Sequence, residues 1–192
     1  MNKKLLLPFL ALAVIPVLVF GVSQPSADEF GKQFAKEHQG TIGVHTLEEA
    51  ITEQEEINRA SLVVEGNILN AKPYWVKIND HSYPRIFTDY TVQVDDVIKG
   101  AHKKVITVTI AGGELDGVKL ATDSYELAKG DRVIMILGQD ITTIFRDSYV
   151  PISISKSTYV IGDDDIAENK KSDRTDKKDK VKERLTKLVA ES

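Results

Sequence analysis

From Ser61 onward, apolar and polar residues alternate in short blocks, and glycines stand in most of the gaps between them. A period of two marks strands with one face buried, and it excludes a helical bundle for the middle of the chain. Leu62, Val63 and Val64 with Ile68 and Leu69 predict a first strand. Tyr90, Val92 and Val94 predict a second, and Ile106, Val108 and Ile110 a third reached through Lys99-Gly100. Gly112-Gly113 and Asp116-Gly117 read as tight connections around Val118-Lys119-Leu120. Val133 to Leu137 is apolar without interruption, which predicts a central strand covered on both faces. Val150, Ile152 and Ile154, then Tyr159-Val160-Ile161 before Gly162, complete the set. Such strands, with helices only at the flanks, are best satisfied by closing the sheet on itself, because closure removes exposed edges.

The flanks read differently. Thr46-Leu47-Glu48-Glu49 has the spacing of a capping box, and Leu47, Ala50 and Ile51 then share one face, so a helix is expected from there to about Arg59. Residues 28–45 are polar and read as a spacer or frayed helix. At the other end Val181, Leu185, Leu188 and Val189 fall at helical spacing, with Glu183 placed to pair with Lys187. The expected organisation is a leader over 1–27, the spacer over 28–45, a β-barrel domain over 46–166 and a charged C-terminal helix or tail over 167–192.

The leader is an apolar run from Leu5 to Val22 behind Lys3 and Lys4, followed by Ser23-Gln24-Pro25-Ser26-Ala27. A charged start, an apolar core and a small polar stretch form the pattern of a secretory signal. The chain is therefore expected to be secreted, or tethered to the outer face of the cell membrane if residues 5–22 are not removed. Pro8 and Pro16 interrupt the run and favour a signal over a stable spanning helix. Cleavage after Ser23 places Gly21 and Ser23 at the two small-residue positions, whereas cleavage after Ala27 places Pro25 at an unfavourable one. The chain has no cysteine, which excludes disulfides, thiolate metal sites, a thiol nucleophile and bacterial lipid attachment. Its stability must come from an apolar core, which fits a bacterial export product.

Charge is unevenly distributed. Without Lys3 and Lys4 the 25 basic residues become 23 against 29 acidic ones, a net of −6. Of these, nine basic and six acidic residues lie in Glu168 to Ser192, so the tail is positive and the body strongly negative. An acidic body argues against nucleic acid, whose phosphates require clustered Lys and Arg. Interspersed charges in the tail read as a solvated helix.

The segments Thr46-Leu47-Glu48-Glu49, Ala60 to Ile68, Tyr90 to Gly100, Ile106 to Gly113 and Ala128 to Val133 together resemble a run found in uncharacterised exported proteins of Gram-positive bacteria. The core of that run, x-V-x-V-x-x-V-I-K-G between strands, also resembles the oligonucleotide/oligosaccharide-binding (OB) barrel of netrin-like modules and tissue inhibitors of metalloproteinases. The resemblance implies a mainly β fold, an OB-like antiparallel β-barrel with an N-terminal helix and a charged C-terminal helix. Those inhibitors chelate zinc through an N-terminal cysteine, which this chain lacks, so their mechanism does not carry over.

No nucleophile elbow, His-Glu-x-x-His helix, Ser-x-x-Lys set or phosphate-cradling glycine loop occurs, and no cofactor is expected. His38, His45, His81 and His102 are scattered, and Gly40 and Gly43 argue against a helix that would bring the first two together. Asp163-Asp164-Asp165 offers oxygen ligands of the kind calcium takes, without the spacing of a calcium loop, so a solvated turn is the competing reading. The strongest loop feature is Ala71 to Arg85, which gathers Tyr74, Trp75, His81 and Tyr83 between two strands usually joined by a handful of residues. Aromatic rings on a rim can stack on sugars or pack on a protein. In the competing reading Trp75-Val76-Lys77-Ile78 continues the strand and Trp75 fills the end of the barrel. The expected function is a non-catalytic binding module at the cell surface or in the medium, its partner a protein or a cell-wall glycan. A secreted hydrolase with dispersed catalytic residues and a structural or stress-protective envelope protein are the alternatives.

Overall fold

The computed structural model describes residues 26–45, 50–78, 82–139, 145, 147–169 and 174–192. In chain order the elements begin with α1 (Ala27–Glu37), β1 (Gly40–Gly43), α2 (Glu53–Arg59), β2 (Leu62–Val76), β3 (Arg85–Lys99) and β4 (Val105–Ala111). They continue with β5 (Gly113–Leu115), β6 (Val118–Ala121), β7 (Arg132–Gln139), β8 (Tyr149–Pro151), β9 (Thr158–Ile161), β10 (Ile166–Asn169), β11 (Arg174–Lys177) and α3 (Lys178–Ala190). The protein is mainly β, with a helix towards each end.

The strands form a ring of sheet. β2 and β3 pair antiparallel from Val63↔Lys99 to Val76↔Arg85, β3 pairs with β4, and β7 lies along the other side of β2 over Leu62 to Asn67. β8 meets β4 in parallel at Val108↔Tyr149 and β7 antiparallel at Leu137↔Pro151, which returns the sheet to its start. β7 divides its outer edge, giving Arg132 to Met135 to β9 and Leu137 to Gln139 to β8, and β10 and β11 extend the sheet beyond β9. A separate three-stranded sheet, in the order β1-β6-β5, pairs β1 with β6 in parallel.

Alternation places one apolar set inside the ring and another outside it. Leu62, Val64, Val133, Met135 and Leu137 pack inward with Val92 and Val108. Val63, Ile134 and Ile136 face the other way, onto Ile57 of α2 and Val181 and Leu185 of α3. The uninterrupted apolar run of β7 is explained by this double burial. Register shifts at Glu65/Gly66 bend β2, and a Cβ on Gly66 would stand 2.2 Å from the Gln93 carbonyl oxygen, so the bulge requires glycine.

Several expectations at the flanks change. Residues 28–45, expected as a spacer or frayed helix, hold a capped helix and a strand: Ser26 and Glu29 form a capping box that starts α1, and β1 follows in the small sheet. α2 starts at Glu53 on a second box, Thr52 with Glu55, while Thr46 to Glu49 lie outside the described residues. Residues 167–177 are not tail but supply most of β10 and all of β11. α3 docks by its apolar stripe, with Val181 and Leu185 fully buried, and Lys187 meets Glu191 at 4.0 Å in place of Glu183. No described helix is long and apolar enough to cross a membrane, and residues 5–22 lie outside the described set.

Two carboxylates anchor the C-terminal segment. Glu53 lies 3.0 Å from Arg174 and accepts from Nε of Arg184 at 3.0 Å and from the Tyr159 hydroxyl at 2.5 Å. Glu65, itself buried, meets Lys182 at 2.6 Å and Lys178 at 3.4 Å, and Lys182 also reaches Asp96 at 2.7 Å. Burial, and then the bond to Glu53, push the Tyr159 hydroxyl up to about 12. The unfolded chain releases this proton near the ordinary value of 10.0, so between the two values only the folded state still holds it. Stability should therefore fall as pH rises from 10 towards 12, by up to about 1.4 kcal/mol per pH unit from this group. Denaturant titrations across that range should show a shallower fall for Tyr159→Phe than for the parent chain.

Candidate functional site

The β2–β3 hairpin runs past the ring, and its far end meets α1 and the small sheet. There Trp75, 5% exposed, packs with Ala35, Ile86, Val118 and Leu120 as a third apolar cluster. Its indole N–H donates to Asp116 Oδ2 at 2.9 Å, from the turn between β5 and β6. Gly31 of α1 lies so close that a Cβ there would stand 2.1 Å from the indole ring. The fit of Gly31 against Trp75 sets how α1 sits on the hairpin.

Beside this cluster opens a groove of about 510 Å³. Phe34 and His38 of α1 form one side, Ile42 of β1 and the adjoining Val44 another, and Tyr83, Pro84 and Arg85 line it from the hairpin tip. Trp75, Ile86, Val118 and Leu120 join the groove to the core cluster. Phe34 is the hub of its aromatic lining. The His38 ring stacks on it with centroids 4.1 Å apart, Tyr83 tilts against it at 5.8 Å and Trp75 meets it edge-on at 6.2 Å. His38 Nδ1 lies 3.1 Å from the Phe34 carbonyl, which can only accept, so this nitrogen carries the proton and Nε2 is left for other partners. Tyr83 is 76% exposed, and Arg85 is exposed beside it.

The loop expected over Ala71 to Arg85 is much shorter. Ala71 to Val76 belong to β2 and pair with Arg85 to Tyr90, so the connection is Lys77 to Pro84. A register shift between Ile68 and Asn70 resets the alternation, and Pro73 interrupts it again. β7 has already left β2 after Asn67, so Pro73 stands beyond that pairing, where a missing amide donor costs the β7 ladder nothing. The four aromatic residues of that stretch are therefore not one rim. Tyr74 donates to Asp89 at 3.1 Å, its hydroxyl pushed up to about 12 by burial and by Asp89, and it does not line the groove. Trp75 forms groove wall and core, Tyr83 stands at the mouth, and His81 lies outside the described residues.

The other candidates are dispersed. His45 faces Asp123 at 3.3 Å and does not join His38 at the groove. Asp163, Asp164 and Asp165 occupy the turn between β9 and β10. Asp164 Oδ1 caps the Ile166 amide, and Asp165 meets Arg132 at 2.8 Å, which holds its carboxyl below the usual range. Among the described residues no group of three or more His, Asp or Glu side chains is arranged to hold a metal ion. Sequence reasoning missed the contributions of Phe34, His38, Ile42 and Val44, all within the presumed spacer. The signal was present: Ser26-Ala27-Asp28-Glu29 is a capping box, and Phe30 and Phe34 follow at helical spacing.

No protein-family model matches the chain, and no curated protein matches it.

Core and mouth separate by mutation. Trp75→Ala removes a buried indole and its hydrogen bond, a loss of about 3–5 kcal/mol that lowers Tm by roughly 10 °C in a chain of this size. Tyr83→Ala, at an exposed position, should leave stability within about 0.5 kcal/mol of the parent. Thermal melts of the two variants check both.

Proposed function

We propose that the protein is an exported, non-catalytic binding module and that the groove beside α1 is its ligand site. The observation that carries this reading is the partly open aromatic groove itself, whose size matches sites that enclose small ligands. The chemistry of the perturbed groups supports binding over catalysis. Tyr74, Tyr159, Asp96 and Asp165 owe their shifts to ion pairs, hydrogen bonds and burial away from the groove, and none of them lines it. Of the two partner classes, a protein's apolar surface suits these walls better than a glycan, which needs a row of hydrogen-bonding side chains.

The order of the ring supports reading it as an OB-like barrel. Its first three strands, β2, β3 and β4, form a meander, and its fifth, β8, lies parallel to the third and antiparallel to the fourth, β7. In barrels of that type the connection between the first two strands helps hold ligands. Here that connection supplies Tyr83 and Pro84 to the groove. The resemblance to exported proteins of Gram-positive bacteria supports action outside the cell.

Binding is tested with Trp75 emission, since it is the only tryptophan. Wall fragments and fractionated surface proteins are added to the parent chain and to Tyr83→Ala. A saturable response in at least one fraction, weakened by the variant, is expected. No response in any fraction, or one indifferent to Tyr83, overturns the reading.

Export makes a separate prediction. Cleavage after Ala27 would remove Ser26, the N-cap of α1, at a cost of about 1 kcal/mol, and leave a positive amine at the helix start. Cleavage after Ser23 keeps the cap. Mass spectrometry of the secreted chain should give Gln24 as the first residue, and Asp28 would refute this.

A further inference from the structure

We propose that the groove beside α1 takes a long-chain carboxylate, the apolar chain lying against Phe34, Ile42, Val44 and Trp75 and the anionic head meeting Arg85. The proposal rests on the reading above that this groove is a binding site, and gives it a small amphiphile in place of a protein surface. Size is the first argument. At about 510 Å³ the groove holds more than one inserted side chain, and it falls within the roughly 300–1,000 Å³ of sites that enclose a whole small ligand. The walls are the second. They are aliphatic and aromatic, with few polar groups to replace the water around sugar hydroxyls or a peptide backbone.

Charge is the third argument and selects the head group. The chain carries a net charge of −4, yet no Asp or Glu is among the described lining residues. Among the described residues there, the side chains that carry a positive charge or can acquire one are Arg85 and His38. Asp116, which receives the Trp75 indole N–H, does not line the groove. Arg85 is exposed at the start of β3 and enters no ion pair among the described residues. A guanidinium presents a planar fork of donors that fits the two oxygens of a carboxylate. An apolar trough with one such fork at its mouth complements an amphiphile with a single anionic end. The competing occupant is an extended apolar peptide added to β1, the outer strand of the small sheet.

The test titrates the full chain, read by Trp75 emission, with dodecanoate below its micelle concentration, with dodecanol, with acetate and with an extended uncharged apolar peptide. Dodecanoate should give a saturable change, dodecanol a weaker one, and acetate none. Arg85→Gln, a change at an exposed position, should weaken dodecanoate by roughly tenfold and leave dodecanol unchanged. Equal binding of dodecanol and dodecanoate, or indifference to Arg85→Gln, overturns the anionic head. Silence towards both amphiphiles, with or without a response to the peptide, overturns the ligand class. If wall fragments or surface proteins still move Trp75 through Tyr83, that silence leaves the binding reading standing.

Discussion

The register of β2 against β3 is the constraint on which the rest of this structure depends. Thirteen residue pairs from Val63↔Lys99 to Val76↔Arg85 hold the two strands together. One end of the hairpin closes the ring with β7 and β4, and the other end carries Trp75 and Ile86 into a separate cluster with α1 and the small sheet. A slip of one residue would exchange the inward and outward sets along the whole length. It would remove Val64 and Ile68 from the ring interior and Trp75 from Asp116 in the same step. The bulge at Gly66 lets one strand serve both ends, because it bends β2 where β7 is about to leave it.

The uneven charge of the sequence finds its explanation in packing. A negative body and a positive tail read as a solvated C-terminal helix, yet the tail's cations are spent on carboxylates of the body. Arg174 and Arg184 close on Glu53, and Lys178 and Lys182 close on Glu65 with Asp96 beside them. Glu65 is buried, so its two lysines compensate a charge that would otherwise be costly to remove from water. The apolar contacts of Val181 and Leu185 hold α3 down, and these pairs decide which way round it lies. The arrangement also joins elements distant in sequence: α2 precedes the ring, α3 follows it, and both cover the same outer face of β2 and β7.

Where the pattern was regular, it was legible. β4 follows from alternation, β7 and β9 from short continuous apolar runs, and the turns at Gly112-Gly113 and Asp116-Gly117 from turn chemistry. The apolar stripe of α3 was equally plain. Legibility failed where a second influence broke the period. The register shift between Ile68 and Asn70, with Pro73, hid the far half of β2 and turned strand into apparent loop. Residues 28–45 looked like a spacer because α1 is polar on most of its surface and buries little beyond Gly31 and Ala35. Of the candidate aromatics, Trp75 and Tyr83 do reach the groove and Tyr74 does not, because neighbours on a strand face opposite ways. That distinction needs the strand first, and the strand was the part the sequence concealed.

The groove belongs to none of the ring's own surfaces. Its walls come from a helix before the ring, a short strand after that helix, the tip of the longest hairpin and a strand inserted between β4 and β7. Trp75 ties α1 and the small sheet to the hairpin: Gly31 lies against its ring, Asp116 on its nitrogen, and Val118 and Leu120 beside it. A ligand in this groove touches α1 and the hairpin at once, so it adds binding energy to the same interface that keeps α1 in place. By linkage, anything bound there stabilises the docked helix, and loosening the helix weakens whatever is bound. A site assembled in this way ties affinity to the seating of α1, and through Ser26 to the cap that starts that helix.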